Sequence, residues 1–441
     1  MKNVNFIFLV HEEPVLKHYT FVDIDNDHYY YDDYANDNNL KNRSEKCYLP
    51  ANRLMLDMLE RPDSNFRVSF AISGIALERF EESAPEVIDS FDALAKTGKV
   101  EFLAMPYSYS LSSVFDDNEF RRQVLQQSRN IEQLFGYKPN VLFNTSMIYS
   151  DEIGKKASEM GFRTIITEGA KHIMGYKSPH FVYNHPYISK MKLLIRDNVL
   201  SDNFNFRFSQ WDWDEYPLTA DKFMSWIGKS PDKESIFNVM CGYDILGITN
   251  NEHSGIFEFF RALPDYADRN GVSFSTPLDT IAQNTPIGTL PVPDPISWTN
   301  DDKSLTAYCG NELQNEALNK LYAMSKKVHV FPDSLLQADW LRLQDVSHFY
   351  YMDSHLYTSD GNRMGTHYES EYNAFVNYMN VLSDFIGRVE AQFPKSIADE
   401  ELNPLLQTIE KQNEEIAHLR REVLRLKRIV SADRKSTKNL P

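Results

Sequence analysis

The apolar positions of this chain form short, nearly continuous runs that are rich in β-branched residues and are separated by segments of helical periodicity. Runs of this kind are typical of strands buried on both faces of a parallel sheet. They cover residues 4–10, 67–72, 100–104, 140–144, 164–167, 192–196 and 235–241. About seven strand–helix units predict an α/β fold closed into a barrel, and the same count also fits an eight-stranded barrel or an open doubly wound sheet.

Helical patterning fills most of the intervals between these runs. The candidate helices cover residues 51–60, 85–96, 118–135, 151–160, 219–227 and 254–267. Four prolines between residues 284 and 295 mark a boundary, after which the strand signals stop. Residues 311–326, 333–344 and 369–393 then have helical patterns. We therefore predict a barrel domain over residues 1–290 and a helical domain over residues 291–398.

The last part of the chain has a seven-residue repeat. Its first seam position is occupied by Leu402, Ile409, Ile416, Val423 and Val430. β-Branched residues at that position, combined with leucines at the second, favour a parallel two-stranded coiled coil. We predict a coiled-coil helix over 399–431 that makes the protein a homodimer through 402–430. A single amphipathic helix folded back on its own domain is the alternative, and residues 432–441 are expected to be disordered.

Composition limits the classes of partner. The 441 residues carry 46 basic and 63 acidic side chains, a net charge of −17, which works against binding to nucleic acid or to an acidic membrane. Three widely spaced cysteines, Cys47, Cys241 and Cys309, suggest neither a disulfide framework nor a zinc site. No apolar stretch reaches the roughly 20 residues of a membrane span, and no signal peptide is visible, so a cytoplasmic location is expected. Neither a metal nor another cofactor is predicted.

Two segments at predicted strand ends resemble catalytic motifs. Residues 143–149 read FNTSMIY, and residues 241–244 read CGYD. They are similar to the segments RNTELIY and MDYETFG of glycoside hydrolase family 57, the α-amylase-like group. Further segments, among them EGAKH at 168–172 and EYPLT at 215–219, also look like family segments. The resemblance covers nearly the whole barrel and the helical domain.

The resemblance implies the fold of family 57 with its catalytic residues substituted. The family has an incomplete (β/α)7 TIM-like barrel followed by an α-helical bundle, and here a coiled-coil helix would follow at the C-terminus. The family's glutamate nucleophile aligns with Ser146, and its aspartate acid/base aligns with Gly242. A retaining glycosidase needs two carboxyl groups about 5–5.5 Å apart, and neither residue supplies one. Met105 and Phe143 also stand where the family has Glu and Arg. We therefore expect a pseudoenzyme without an intact catalytic residue.

Several residues near strand ends are candidates for ligand binding. His11, which matches a family histidine, and Glu13 share a face at the end of the first run, and Asp244 lies two residues beyond Gly242. The aromatic residues Tyr107, Tyr109 and Trp213 have rings suited to stacking on a sugar, although such rings equally often pack a core. Trp211 and Tyr216 belong to the same aromatic group.

Three functions remain open from the sequence. The first is a catalytically inactive, α-amylase-like protein that binds α-glucan or maltooligosaccharide, or that regulates carbohydrate metabolism. The second is an active α-glucan hydrolase or glucanotransferase whose carboxylates have been relocated to Glu13, Asp202 or Asp244. The third is a scaffold that binds no sugar and acts through its coiled coil.

Overall fold

The computed structural model describes residues 2–62, 64–331, 333–357 and 365–393, together with Thr408 and Gln412. The predicted coiled coil and tail lie outside these residues, apart from the latter two. The strands are β1 (Lys2–Val10), β2 (Val68–Ile72), β3 (Val100–Leu103), β4 (Val141–Phe143), β5 (Thr164–Thr167), β6 (Tyr183–Asn184), β7 (Lys192–Ile195), β8 (Ile236–Gly242) and β9 (Val272–Phe274).

Two parallel sheets join into a ring. One sheet runs β3-β2-β1-β8, with β9 beside the start of β1, and the other runs β4-β5-β7, with the short antiparallel β6 at its edge. Parallel bridges between Ala104 and Leu142 and between Arg196 and Asn238 connect the two sheets at both sides. The strands therefore follow the order β1-β2-β3-β4-β5-β7-β8 and return to β1, which is a (β/α) barrel-like arrangement.

Helices follow the strands on the outside of this ring. They are α1 (Asp33–Arg43), α2 (Leu49–Glu60), α3 (Gly74–Ser83), α4 (Pro85–Lys96), α5 (Ser112–Phe115), α6 (Asp117–Phe135), α7 (Asp151–Glu159), α8 (Lys171–Met174), α9 (Asn198–Asp202), α10 (Ala220–Lys229), α11 (Ile256–Arg269) and α12 (Pro277–Gln283). The alternation of side chains along a strand explains this packing. Phe6, Phe8 and Phe70 point outward to these helices, whereas Ile7 and Ala71 belong to a second core.

Only helices and irregular segments occur after β9 in the described part of the chain. They are α13 (Thr306–Cys309), α14 (Glu312–Ala323), α15 (Ser325–Val328), α16 (Ser334–Leu343), α17 (Val346–Tyr350) and α18 (Glu371–Glu390). Trp340, Phe349 and Phe385 are fully buried in the same hydrophobic core as Leu142 of the barrel. We call residues 306–390 the helical region. The proposed domain limits at 290 and 398 remain predictions.

No helix in the described ranges combines the length and apolar character that a membrane crossing requires.

Candidate functional site

Ser146 lies directly beyond β4, in a short turn with unusual backbone geometry. Its φ is 47°, and that of the following Met147 is 53°, so two consecutive non-glycine residues occupy the left-handed region. The Ser146 Oγ lies 2.6 Å from the hydroxyl of Tyr308 and 3.3 Å from that of Tyr109. Because only 1% of Ser146 is exposed, the hydroxyl faces these two tyrosines and not solvent.

A lid of aromatic and backbone groups closes over Ser146. The backbone amide of Trp298 donates to the Ser146 carbonyl at 3.0 Å, and the Trp298 ring packs edge-on against Phe143. The Tyr308 hydroxyl is also 2.7 Å from Thr299 Oγ1. Burial raises the pKa of Tyr308 to about 12, so its hydroxyl stays protonated near neutral pH. Tyr308 therefore offers Ser146 a hydrogen bond and no base.

Gly242 ends β8 and is partly exposed. A Cβ atom added to it would lie 2.2 Å from Oδ1 of Asp244, so Asp244 folds back over the position that a side chain would need. The other carboxylate oxygen of Asp244 accepts a hydrogen bond from Thr249 Oγ1 at 3.2 Å. Asp244 thus lies beside Gly242, on the short 3-10 turn that follows the strand.

His11 follows β1 and links two parts of the molecule. Its Nδ1 lies 2.9 Å from Ser73 Oγ, and its Nε2 lies 2.9 Å from Oδ2 of Asp345. This is the residue order of a Ser-His-Asp triad, but Ser73 is fully buried and its Oγ caps α3 by accepting from the Ala76 amide. No substrate can reach such a serine, so the three residues act as an internal hydrogen-bonded connection.

Acidic groups near the end of β1 surround Arg43. Glu12 accepts hydrogen bonds from Arg43 at 3.0 Å and from the Tyr48 hydroxyl at 2.5 Å, whereas Glu13 accepts from Tyr351 at 2.7 Å. Burial works against the charge of Arg43, yet the carboxylates of Glu12, Glu13 and Asp244 raise its pKa above the ordinary value. The charges of the candidate residues Glu13 and Asp244 therefore act on Arg43, whereas Glu12 is the carboxylate that accepts its hydrogen bond.

A second arginine holds the third relocated candidate. Arg196 follows β7 and donates to Glu168 at 3.0 Å and to Asp202 at 2.6 Å. Glu168 is fully buried, and this burial raises its pKa, although the Arg196 charge opposes the shift. The guanidinium thus donates hydrogen bonds to both carboxylates.

The aromatic candidates differ in exposure. Tyr107 and Tyr109 are only 5% and 6% exposed; the Tyr107 hydroxyl is 3.1 Å from Glu78, and the Tyr109 ring packs on His11. These rings present almost no face to solvent. Trp213 is partly buried, and its ring packs against Trp226 and Arg207. By contrast, Trp211 is 81% exposed.

The sequence profile of glycosyl hydrolase family 57 matches residues 5–293, which is well over half of the chain. The chain belongs to glycoside hydrolase family 57. This confirms the family resemblance, and with it the α/β class of the fold.

Sequence relatives and solved structures agree with this assignment. A Methanocaldococcus jannaschii protein named "Putative alpha-amylase" is 32% identical over 374 residues, which are 81% of this chain and 78% of the relative. The structure of a family 57 branching enzyme from Pyrococcus horikoshii matches with a TM-score of 0.64 at 12% identity, over 94% of this chain and 95% of that one. A branching enzyme from Thermococcus kodakaraensis gives a TM-score of 0.65 at 11% identity, over 92% and 94%. These two similarities concern the fold alone.

Several residues of this family 57 site could not be found from the motifs. Tyr308, Asp345 and Arg43 reach the barrel end from distant parts of the sequence, and no local pattern indicates their contacts. Glu168 does carry a signal, because it is an acidic residue directly after a barrel strand, the position at which barrel enzymes place functional groups. The motif resemblance alone places it only in the scaffold.

Proposed function

We propose that this protein is a non-hydrolysing member of family 57 that binds α-glucan. One observation carries the proposal: Ser146, at the motif position of the nucleophile, is 1% exposed and hydrogen-bonded to two tyrosine hydroxyls. A nucleophile must come within about 3–3.5 Å of the anomeric carbon. The low exposure of Ser146 supports the proposal that a pyranose ring does not come within that distance.

The chemistry of the two motif positions supports the same conclusion. A serine hydroxyl becomes a nucleophile only beside a general base, and the groups within reach of Ser146 Oγ are the neutral hydroxyls of Tyr109 and Tyr308. Gly242 has no side chain that could protonate a leaving oxygen. Both halves of the two-carboxyl mechanism are therefore missing from these positions.

The other carboxylates at the barrel end support an active enzyme less well than they support a non-hydrolysing protein. Arg43 provides a positive charge that interacts with the charges of Glu13 and Asp244. Arg196 donates a hydrogen bond to Asp202. A retaining site needs two carboxyl groups about 5–5.5 Å apart, whereas Asp202 is hydrogen-bonded to Arg196 and Glu13 accepts a hydrogen bond from Tyr351. Relocated catalysis is accordingly the second candidate, and a turnover assay distinguishes it.

Glucan binding is proposed from the family and from the names of its relatives, since α-amylases and branching enzymes act on α-glucans. The net charge of −17 agrees with a neutral ligand. Binding without cleavage would leave the protein free to act as a carrier or regulator of glucan metabolism.

The experiment combines turnover with binding. Purified full-length protein is incubated with maltoheptaose and with amylose, new reducing ends and chain-length products are measured, and affinity electrophoresis in a glycogen gel measures binding. We expect retardation in the gel and no products. Products that disappear in Glu13→Gln, Asp202→Asn or Asp244→Asn would overturn the proposal in favour of relocated catalysis, and a protein that is not retarded would favour the scaffold function.

We also propose that the chain dimerises through residues 402–430. The support is the seven-residue repeat in the sequence. Sedimentation of the full chain and of a chain ending at Asp399 tests this proposal, with a dimer expected only for the full chain.

A further inference from the structure

A groove of about 870 Å³ lies on the flank of the barrel. One wall is formed by the π-helical turn Ser44–Tyr48 and by α2, and the other by residues 247–254 and the first turns of α11. Its volume is within the range of about 300–1,000 Å³ that is common for small-molecule sites. None of the carboxylates and tyrosines described above lines it, so the groove is distinct from the closed position around Ser146.

A close backbone approach joins the two walls at Gly247. Gly247 has a φ of +105°, and a Cβ atom added to it would lie 1.9 Å from the carbonyl oxygen of Lys46, so only glycine permits this approach. The neighbouring Asn250 is buried and donates to the carbonyls of Phe204 at 2.9 Å and Ile245 at 3.2 Å. The π-helical turn supplies a further distortion of a type that is frequent at functional sites. The groove is therefore already shaped before a ligand arrives.

The lining combines an apolar floor with polar side chains at the rim. Pro50, Leu54 and Phe257 provide the apolar surface, and the Phe257 ring is only partly buried. The amides of Asn42 and Asn251 are exposed beside it. An aromatic or aliphatic face bordered by planar polar groups is complementary to a sugar, which has apolar C–H faces and a circumference of hydroxyls.

The charges at the rim nearly cancel, and several are not engaged. Lys46, Arg53 and Arg261 stand against four carboxylates, those of Glu45, Asp57, Glu252 and Glu258. Arg261 and Glu258 form a loose pair at 3.6 Å. Within the described ranges, Arg53 and Asp57 form no ion pair. Balanced charge disfavours both polyanions and polycations, while unengaged donors and acceptors suit a neutral ligand with many hydroxyl groups.

We propose that this flank groove, rather than the barrel end, is the site at which the protein binds a neutral oligosaccharide segment of an α-glucan. This inference rests on the proposed function and adds the location of the glucan-binding site. The sugar hydroxyls pair with Arg53, Asp57 and Asn251, and a pyranose face lies on Phe257. No bond is made or broken.

Isothermal titration of the full chain with maltoheptaose tests the location. Asp57→Trp fills the groove from an exposed helical position, and Arg53→Ala removes a donor. The matched controls are Glu132→Trp and Arg129→Ala, at exposed positions of α6 that do not line the groove. We expect each groove variant to weaken the Kd by about tenfold or more, and each control to bind as the wild type does.

The outcomes separate the two proposals. Wild-type affinity in both groove variants would show that the groove is not the binding site, while the proposal that the protein binds glucan would stand. If the wild-type chain binds no maltoheptaose, both the proposed glucan binding and its location in the groove are wrong. If the wild type hydrolyses maltoheptaose and the groove variants still lose binding, only the proposed lack of hydrolysis is wrong. Equal affinity for cellohexaose would overturn the assignment to α-linked glucan.

Discussion

His11 and Asp345 join the first barrel strand to the helical region: Nε2 of His11 lies 2.9 Å from Oδ2 of Asp345, which is fully buried. The same carboxylate accepts from the Ser347 amide at 2.9 Å and so caps α17. Burial alone would raise the pKa of Asp345, but the neighbouring His11 charge and hydrogen bond hold it below 3.8. This connection lies at the C-terminal end of β1, the end of a barrel at which barrel enzymes place functional groups.

Asp345→Asn should lower the free energy of unfolding by about 2–3 kcal/mol, because it removes a charged hydrogen-bond acceptor from a buried site. Because the pKa of Asp345 is depressed in the folded protein, its stabilisation is present above pH 3.8 and is lost as the pH falls through the folded value. Urea unfolding at pH 7 and at successively lower pH measures both effects.

The control for this prediction is Asp294→Asn, at an exposed position. It should leave the stability within about 0.5 kcal/mol of the wild type. An Asp345→Asn protein as stable as this control would show that the contact contributes nothing.

Glu119 should govern acid stability. It is fully buried on α6 and accepts hydrogen bonds from His329 at 2.9 Å, Trp340 at 3.0 Å and Gln344 at 3.0 Å, all in the helical region. Burial opposes ionisation, but the hydrogen bond and charge of His329, the charge of Arg122 and a hydrogen bond from Gln123 lower the pKa of Glu119 from 4.5 to about 2. The shift corresponds to about 3 kcal/mol, present above pH 4.5 and lost as the pH falls to about 2.

Glu119→Gln should therefore be less stable at pH 7 and should lose much of the wild type's pH dependence between pH 4.5 and 2. Unfolding followed by circular dichroism across this interval checks the slope. Glu132→Gln, exposed on the same helix, is the control and should keep the wild-type slope. An unchanged slope in Glu119→Gln would contradict the prediction.

We expect His180 to make the stability of the protein depend on pH in the opposite direction to Glu119. Its two ring nitrogens lie 2.7 Å from carboxylate oxygens of Glu234 and Asp197. Burial lowers the pKa of His180, but the two carboxylates outweigh burial and raise it above 6.5. The stabilisation is thus complete below pH 6.5 and is lost as the pH rises through the folded value.

His180→Gln should cost about 1.5–3 kcal/mol at pH 6, and the difference from the wild type should shrink at higher pH. Thermal unfolding from pH 6 to 9 measures this change, with His253→Gln, at an 87% exposed side chain, as the control. A difference that is constant with pH would mean that the imidazolium is not the stabilising species.

The strands were more predictable than the site. Each apolar run of the sequence coincides with a barrel strand, because two-sided burial imposes a continuous apolar pattern. The short strands β6 and β9 were not predicted, and neither was α1, in which Leu40 is the one buried residue. The closure over Ser146 was not predictable, since the Tyr308 contact spans 162 residues.

The last prediction concerns restoring the two carboxyl groups. Ser146→Glu with Gly242→Asp introduces the residue types that the motif resemblance implies for these positions, yet we expect no hydrolysis. The larger side chain at 146 must displace the Tyr308 hydroxyl that lies 2.6 Å from Ser146 Oγ, and such overpacking costs about 1–3 kcal/mol. At 242, the new side chain meets Asp244, whose Oδ1 lies 2.2 Å from the point that its Cβ atom would occupy, and two carboxylates brought this close repel each other.

Hydrolysis requires that substrate access to position 146 be restored together with the two carboxyl groups. Adding Tyr109→Ala and Tyr308→Ala to the double substitution removes both hydroxyl partners of Ser146 and opens the lid, so trace release of reducing ends from maltoheptaose is expected only in this fourfold variant. The two tyrosine substitutions without the carboxylates are the control and should remain inactive. If the double variant alone hydrolyses maltoheptaose, burial of Ser146 does not block the site, and the two substituted carboxylates account for the whole of the proposed inactivity.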